Sequence, residues 1–143
     1  MKTLTSLYNL AEQDRTPVID MQIHNDSVGA MSVCDEDGDC IIAIDSKKLK
    51  SEADHIVKMA HELGHCKTGS FYNEKSPLDI RSKHEYRADK WAVMNLVPYD
   101  DFIGACKKGY TEIWQLAEYF GVTDDFILRA HEIYLNMGYS FDE

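Results

Sequence analysis

The string His61-Glu62-Leu63-Gly64-His65 is the feature that most restricts the fold of this chain. Two histidines four residues apart share a face if the segment is helical, and both imidazoles can then reach one metal ion at about 2.0–2.1 Å, the Zn–N distance. Glu62 lies about 100° further round such a helix, where a base that takes a proton from water must sit. The apolar pattern predicts a helix from about Glu52 to Lys67, and the string predicts one zinc ion per chain.

A metal ion held by two histidines of one helix needs a third protein ligand, and Glu85 is the best candidate. The metzincin pattern is excluded, because the glycine and the third histidine that it requires after HELGH are missing. Asp89 follows Glu85 by four residues and shares its helical face. Zinc sites use such a second carboxylate to orient a ligating imidazole, so we expect Asp89 to support the ligands His61, His65 and Glu85.

The residues before the HELGH helix predict a short opening helix and a small sheet. Apolar residues at helical spacing indicate a helix at Leu4–Glu12. Three β-rich runs follow, at Val18–Ile23, Val28–Val33 and Ile41–Ile44, and the short turn before the third favours a hairpin. We therefore predict an α+β fold in which a small antiparallel three-stranded sheet packs on a zincin-like helical core.

The residues after the HELGH helix predict further helices. The helix that carries Glu85 stops near Leu96 because Pro98 disfavours helical geometry before it, and its start is open between Ser76-Pro77 and Ser82. Caps and terminal glycines then indicate three helices over residues 100–138, a helical C-terminal tail. We expect a single domain over residues 1–143, with a core at 1–98 and a helical extension at 99–143.

Charge argues against nucleic acid and anionic lipid as direct partners. The chain has 15 Lys and Arg against 25 Asp and Glu, a net charge of −10 that repels phosphate groups. Residues 116–123 look like a DNA-reading helix-turn-helix, but its second helix would open with Thr123-Asp124-Asp125, so we expect a packing or protein-docking element. No apolar run approaches the roughly 20 residues of a membrane helix.

The N-terminal residues and the cysteines indicate the cellular compartment in which the protein works. The first residues lack the continuous apolar stretch of a secretion signal, which predicts a cytoplasmic protein. The four cysteines form no CxxC pair, and we expect free thiols in that reducing compartment. They are Cys34, Cys40, Cys66 and Cys106.

HELGH, followed by EYRADKWAVMNLVP at residues 85–98, resembles the ImmA/IrrE family of zinc-dependent metallopeptidases, whose second motif is approximately ExxAxxFAxxLLMP. The likeness covers most of residues 4–125 and is specific in these two motifs. It implies that His61, His65 and Glu85 are the zinc ligands and that Glu62 is the catalytic glutamate. Asp89 stands where the family commonly has Asn, which brings the site closer to the ExxxD pattern of thermolysin-like gluzincins.

The resemblance also implies a narrow substrate. Family members cleave a transcriptional repressor, often encoded beside the peptidase in prophages and other mobile elements. We therefore expect a metalloendopeptidase whose partner is a repressor-type protein. The alternative, from another class, is a non-hydrolytic metal-binding regulator that binds the repressor without cleaving it.

The way in which substrate is held is a separate expectation. Hydrolysis needs an extended peptide across the metal, and a free sheet edge is the simplest template for one. We expect this edge to be the strand before the metal helix, with an internal strand as the alternative; its residues are Ile41, Ile42, Ala43, Ile44 and Asp45. No single oxyanion-stabilising residue is indicated; the candidates are Tyr72, His84, Tyr86 and Tyr99.

Overall fold

The computed structural model describes residues 2–25, 28–73 and 75–141, and these form helices and a small sheet. The strands are β1 (Val18–Asp20), β2 (Ala30–Cys34) and β3 (Cys40–Ile44). The helices are α1 (Leu4–Gln13), α2 (Glu52–Thr68), α3 (Leu78–Leu96), α4 (Tyr99–Lys107), α5 (Ile113–Phe120) and α6 (Asp124–Asn136). The predicted α+β class with a helical C-terminal part is confirmed.

The sheet is mixed, so the prediction of an antiparallel sheet is wrong for one of its two pairings. The strand order is β1-β3-β2, with β2 antiparallel and β1 parallel to β3. β3 takes the centre because it is the most apolar strand, with Ile42 and Ile44 almost completely buried. β1 and β2 lie on opposite edges of β3, whereas a tight turn between them would have paired β1 with β2.

The prediction that Ile41–Asp45 forms a free edge of the sheet is also wrong, because β3 is the central strand. Residues 40–44 have hydrogen-bonded neighbours on both sides, so the segment Ile41–Asp45 offers no free edge. The edge strand that packs against α2 is β2. Strand propensity identifies segments that fit a sheet and does not say which of them lies at its edge.

The two long helices begin and end close to the predicted residues. Ser51 caps α2, its side chain accepting from the Asp54 amide at 3.0 Å, and Gly69 ends the helix in the left-handed region. α3 starts directly after Pro77, the earlier of the two predicted starts, and ends before Pro98. β1 is shorter than predicted, and β2 is displaced toward the following turn.

α2 and α3 cross unusually closely at Gly64. A Cβ atom at this position would lie 2.4 Å from the carbonyl oxygen of Ala88, which is completely buried. Only a residue without a side chain permits this approach, and it brings the histidines of α2 opposite the carboxylates of α3. The glycine within HELGH is therefore a packing requirement of the site.

The C-terminal helices share one apolar cluster with the sheet and the long helices. It extends from Leu7 in α1 to Tyr134 in α6, whose hydroxyl donates to the Val97 carbonyl oxygen at 2.7 Å.

Within the described ranges, no helix combines the length and apolar character needed to cross a membrane.

We expect Gly64→Ala to lower the free energy of unfolding by about 1–3 kcal/mol or more, because the new methyl group forces the helices apart. Gly104→Ala is the matched control: it also lies inside a helix, but no atom lies within 4 Å of its added Cβ. It should stabilise by about 0.5–1 kcal/mol. Urea unfolding measures both, and equal stability of the two variants would contradict the close crossing.

Candidate metal centre

Three side chains from α2 and α3 converge at one point. The Nε2 atoms of His61 and His65 lie 3.2 Å apart. Glu85 places Oε2 2.8 Å from Nε2 of His61 and Oε1 3.2 Å from Nε2 of His65. These residues form the one His, Cys, Asp and Glu group in the described ranges whose geometry suits a metal ion.

The remaining ring nitrogens fix the tautomers of the two histidines. Nδ1 of His61 donates to Oδ1 of Asp89 at 2.7 Å, and Nδ1 of His65 donates to the carbonyl oxygen of buried Ser70. Since carboxylate and carbonyl oxygens only accept, each Nδ1 carries a proton and each Nε2 is left as the ligand atom. Tetrahedral Zn–N bonds of about 2.0–2.1 Å separate ligand atoms by roughly 3.3 Å, so this donor set fits zinc.

Glu62 stands beside the donors without joining them. Its side chain is largely buried, and Oε1 accepts from the Ser32 hydroxyl of β2 at 2.7 Å. It faces an open cleft of about 540 Å³, the site cleft. The cleft is lined by Asn25, Val28, Ala30, Met31, Ser32, His61, Glu62, His65, Ser70, Phe71, Tyr72 and Glu85. Glu62, the candidate metal position and an edge strand thus meet in one solvent-accessible space.

Residues 19–131 match the family Peptidase_M78, described as the IrrE N-terminal-like domain, over most of the chain. The chain belongs to this family. The match confirms the predicted resemblance and supports a metallopeptidase type of function for this Peptidase_M78 chain. No curated protein and no solved structure matches it.

Hydrogen bonds between the donors of this Peptidase_M78 site shift the pKa values of His61 and Glu85 in opposite directions. Burial alone would lower the pKa of His61, but hydrogen bonds to Asp89 and Glu85 outweigh it and raise that pKa to about 10. Burial would raise the pKa of Glu85, yet hydrogen bonds from His61, His65 and Tyr72 hold it well below the usual carboxyl range. In this structure a proton on Nε2 of His61 pairs with the Glu85 carboxylate at the position that a divalent cation would take.

Asp89 links the site to the C-terminal tail. One of its oxygens accepts from His61, and Oδ2 accepts from Nε of Arg129 on α6 at 2.9 Å. Arg129 also stacks over the Tyr86 ring, with the guanidinium carbon 5.5 Å from the centroid. Sequence reasoning missed Arg129, although one signal was available: it is the only Lys or Arg after residue 110.

The candidates for an oxyanion-stabilising residue are Tyr72, His84, Tyr86 and Tyr99. Of these four, only Tyr72 lines the site cleft. Its hydroxyl donates to Oε1 of Glu85 at 2.8 Å, and its ring stacks on His84. Burial and the Glu85 carboxylate raise the pKa of Tyr72 to about 12, so the hydroxyl remains a donor. Tyr99 instead packs against the rings of Tyr134 on α6 and Tyr139 after it, and its hydroxyl donates to the carbonyl oxygen of Ser140.

We expect Asp89→Ala to weaken zinc binding by about 10–100-fold, because His61 loses the partner that fixes its tautomer. Arg129→Ala should weaken it in the same direction but less, since it acts only through Asp89. Competition with a chromophoric chelator measures the affinities, and exposed Arg87 on α3 provides the control variant Arg87→Ala. Wild-type affinity in Asp89→Ala would contradict its orienting role.

Proposed function

We propose that this chain is a zinc-dependent endopeptidase that cleaves a specific regulatory protein of the repressor type in the cytoplasm. The observation that carries the proposal is the convergence of two imidazole nitrogens and the Glu85 carboxylate beside Glu62 in the site cleft. A zinc ion held by His61, His65 and Glu85 would supply a Lewis acid that polarises a peptide carbonyl and lowers the pKa of water.

Glu62 is the residue that moves protons in this proposal. Its carboxylate faces the cleft, so it can accept a proton from the attacking water and later deliver it to the leaving amine. The Ser32 hydroxyl occupies one of the lone pairs on Oε1 and limits the rotation of the carboxylate. Tyr72 similarly holds Glu85 by a hydrogen bond.

Within the described part of the chain no strand pairs with the outer edge of β2, and we infer that an extended substrate fits on this free edge. Two backbone hydrogen bonds lie at the ends of the pairing of β2 with β3. The Asp35 amide donates to the Asp39 carbonyl oxygen, and the Asp45 amide donates to the Gly29 carbonyl oxygen. Because antiparallel pairs alternate, the amides of Ala30 and Ser32 point away from β3, on the edge of the cleft. A substrate strand paired there would pass Glu62 and the metal ligands.

A repressor is the substrate class that the family resemblance and the charge of the chain jointly support. A DNA-binding protein must carry basic residues, and this chain has a net charge of −10. The same charge disfavours nucleic acid and anionic lipid, so we propose neither as a direct partner.

Glu62→Gln should abolish cleavage while leaving zinc content and thermal stability unchanged, because an amide cannot accept the proton from water. The assay incubates zinc-loaded protein with the repressor encoded nearest to its gene and follows the fragments by mass spectrometry. A chelated wild-type sample is the control. Binding of the repressor without cleavage by the wild type would favour a non-hydrolytic regulator, and loss of zinc from Glu62→Gln would make Glu62 a ligand.

Ala30→Pro should abolish cleavage of the same substrate, because proline removes an amide from the free edge of β2. Ala30→Ser keeps that amide and should retain most of the activity. Zinc content and the melting temperature, measured for both variants, report on folding. If Ala30→Pro is folded and zinc-loaded and cleaves normally, substrate does not pair with this edge.

A further inference from the structure

One face of the sheet is apolar, and most of its side chains are exposed. Alternation along each strand turns every second side chain away from α2. Met21, which directly follows β1 and whose amide donates to the Ile44 carbonyl oxygen, extends this set by one residue. These outward residues are between 41% and 52% exposed; they are Ile19, Met21, Met31, Val33 and Ile41. With Ala43 at its centre, this set is the outer face of the sheet.

The outer face is a contiguous patch. Val33 lies directly opposite Ile41, while Met31 and Ile19 flank Ala43 from the two edge strands. Apolar residues scattered singly over a surface need no explanation, but a contiguous patch of this kind marks an interaction site.

The charge around the outer face identifies the kind of partner. The sequence from residue 16 to residue 46, which contains all three strands, holds seven Asp and Glu and no Lys or Arg. One of these acids, Asp45, is paired with Lys48, which follows the window. The turn between β2 and β3 places four exposed acids at one end of the outer face; they are Asp35, Glu36, Asp37 and Asp39. A second copy would bring an equally acidic sheet against this one, so charge favours a basic partner.

The outer face continues into the site cleft. Met31 belongs to the outer face and also lines the cleft, and its neighbour Ser32 bonds to Glu62. We propose that the outer face is the docking surface for a basic amphipathic segment of the protein substrate, an inference that rests on the proposed function. Docking there would place an adjacent extended part of the same substrate along the free edge of β2.

The test is fluorescence anisotropy with a labelled amphipathic helical peptide that carries leucines on one face and lysines on the other. We expect saturable binding that weakens with salt, and no binding of the same peptide with glutamate in place of lysine. The double variant Val33→Thr/Ile41→Thr, which keeps β-forming residues, should bind about tenfold or more weakly. The matched control is Leu128→Thr/Leu135→Thr, which changes two comparably exposed leucines on α6 and should bind like the wild type.

Three results would overturn the proposal. The first is that the wild type does not bind the lysine peptide, and the second is that the Val33→Thr/Ile41→Thr variant binds it as tightly as the wild type. The third is a dimer in sedimentation that this variant converts to monomer, because the occupant would then be a second copy. Failure of the proposed function is distinguishable, since peptide binding needs neither zinc nor cleavage and should persist in chelated protein. Unchanged zinc content and melting temperature confirm that the variant is folded.

Discussion

The close crossing of α2 and α3 at Gly64 is the constraint on which the rest of the site depends. With a glycine on one helix and Ala88 on the other, the backbones approach until the side chains one and three residues away on each helix meet. His61 and His65 then face Glu85 and Asp89 at hydrogen-bonding distance. A larger residue at the crossing would separate donors that must lie within a few tenths of an ångström of their positions to share one ion.

His61, Asp89 and Arg129 form a continuous hydrogen-bonded network next to this crossing. Asp89 accepts from His61 with one oxygen and from Arg129 with the other, so α6 is linked through Asp89 to a candidate ligand on α2. The orientation of His61 therefore depends on a helix that contributes no ligand itself. The tail stabilises the site as well as the apolar core.

The local features of the fold and site were predictable, and the long-range ones were not. Helical spacing identified α2 and α3, because that pattern repeats within a few residues. HELGH and the Glu85–Asp89 pair identified the donor group, because each motif is local on its own helix, although Glu85 lies 20 residues after His65. The strand order was missed because the pairing of β1 with β3 joins residues more than 20 positions apart, and propensity carries no information on it. Ser32 and Arg129 were missed similarly: each lies at least 30 residues from its partner, Glu62 or Asp89.

The metal content of the protein tests most directly whether His61, His65 and Glu85 hold an ion. Elemental analysis should find one zinc per chain in the wild type and almost none in His61→Ala or Glu85→Ala, because each removes one of three ligands. The folding of both variants is checked by circular dichroism. Unchanged stoichiometry in both, or no bound metal in the wild type after zinc loading, would contradict the account.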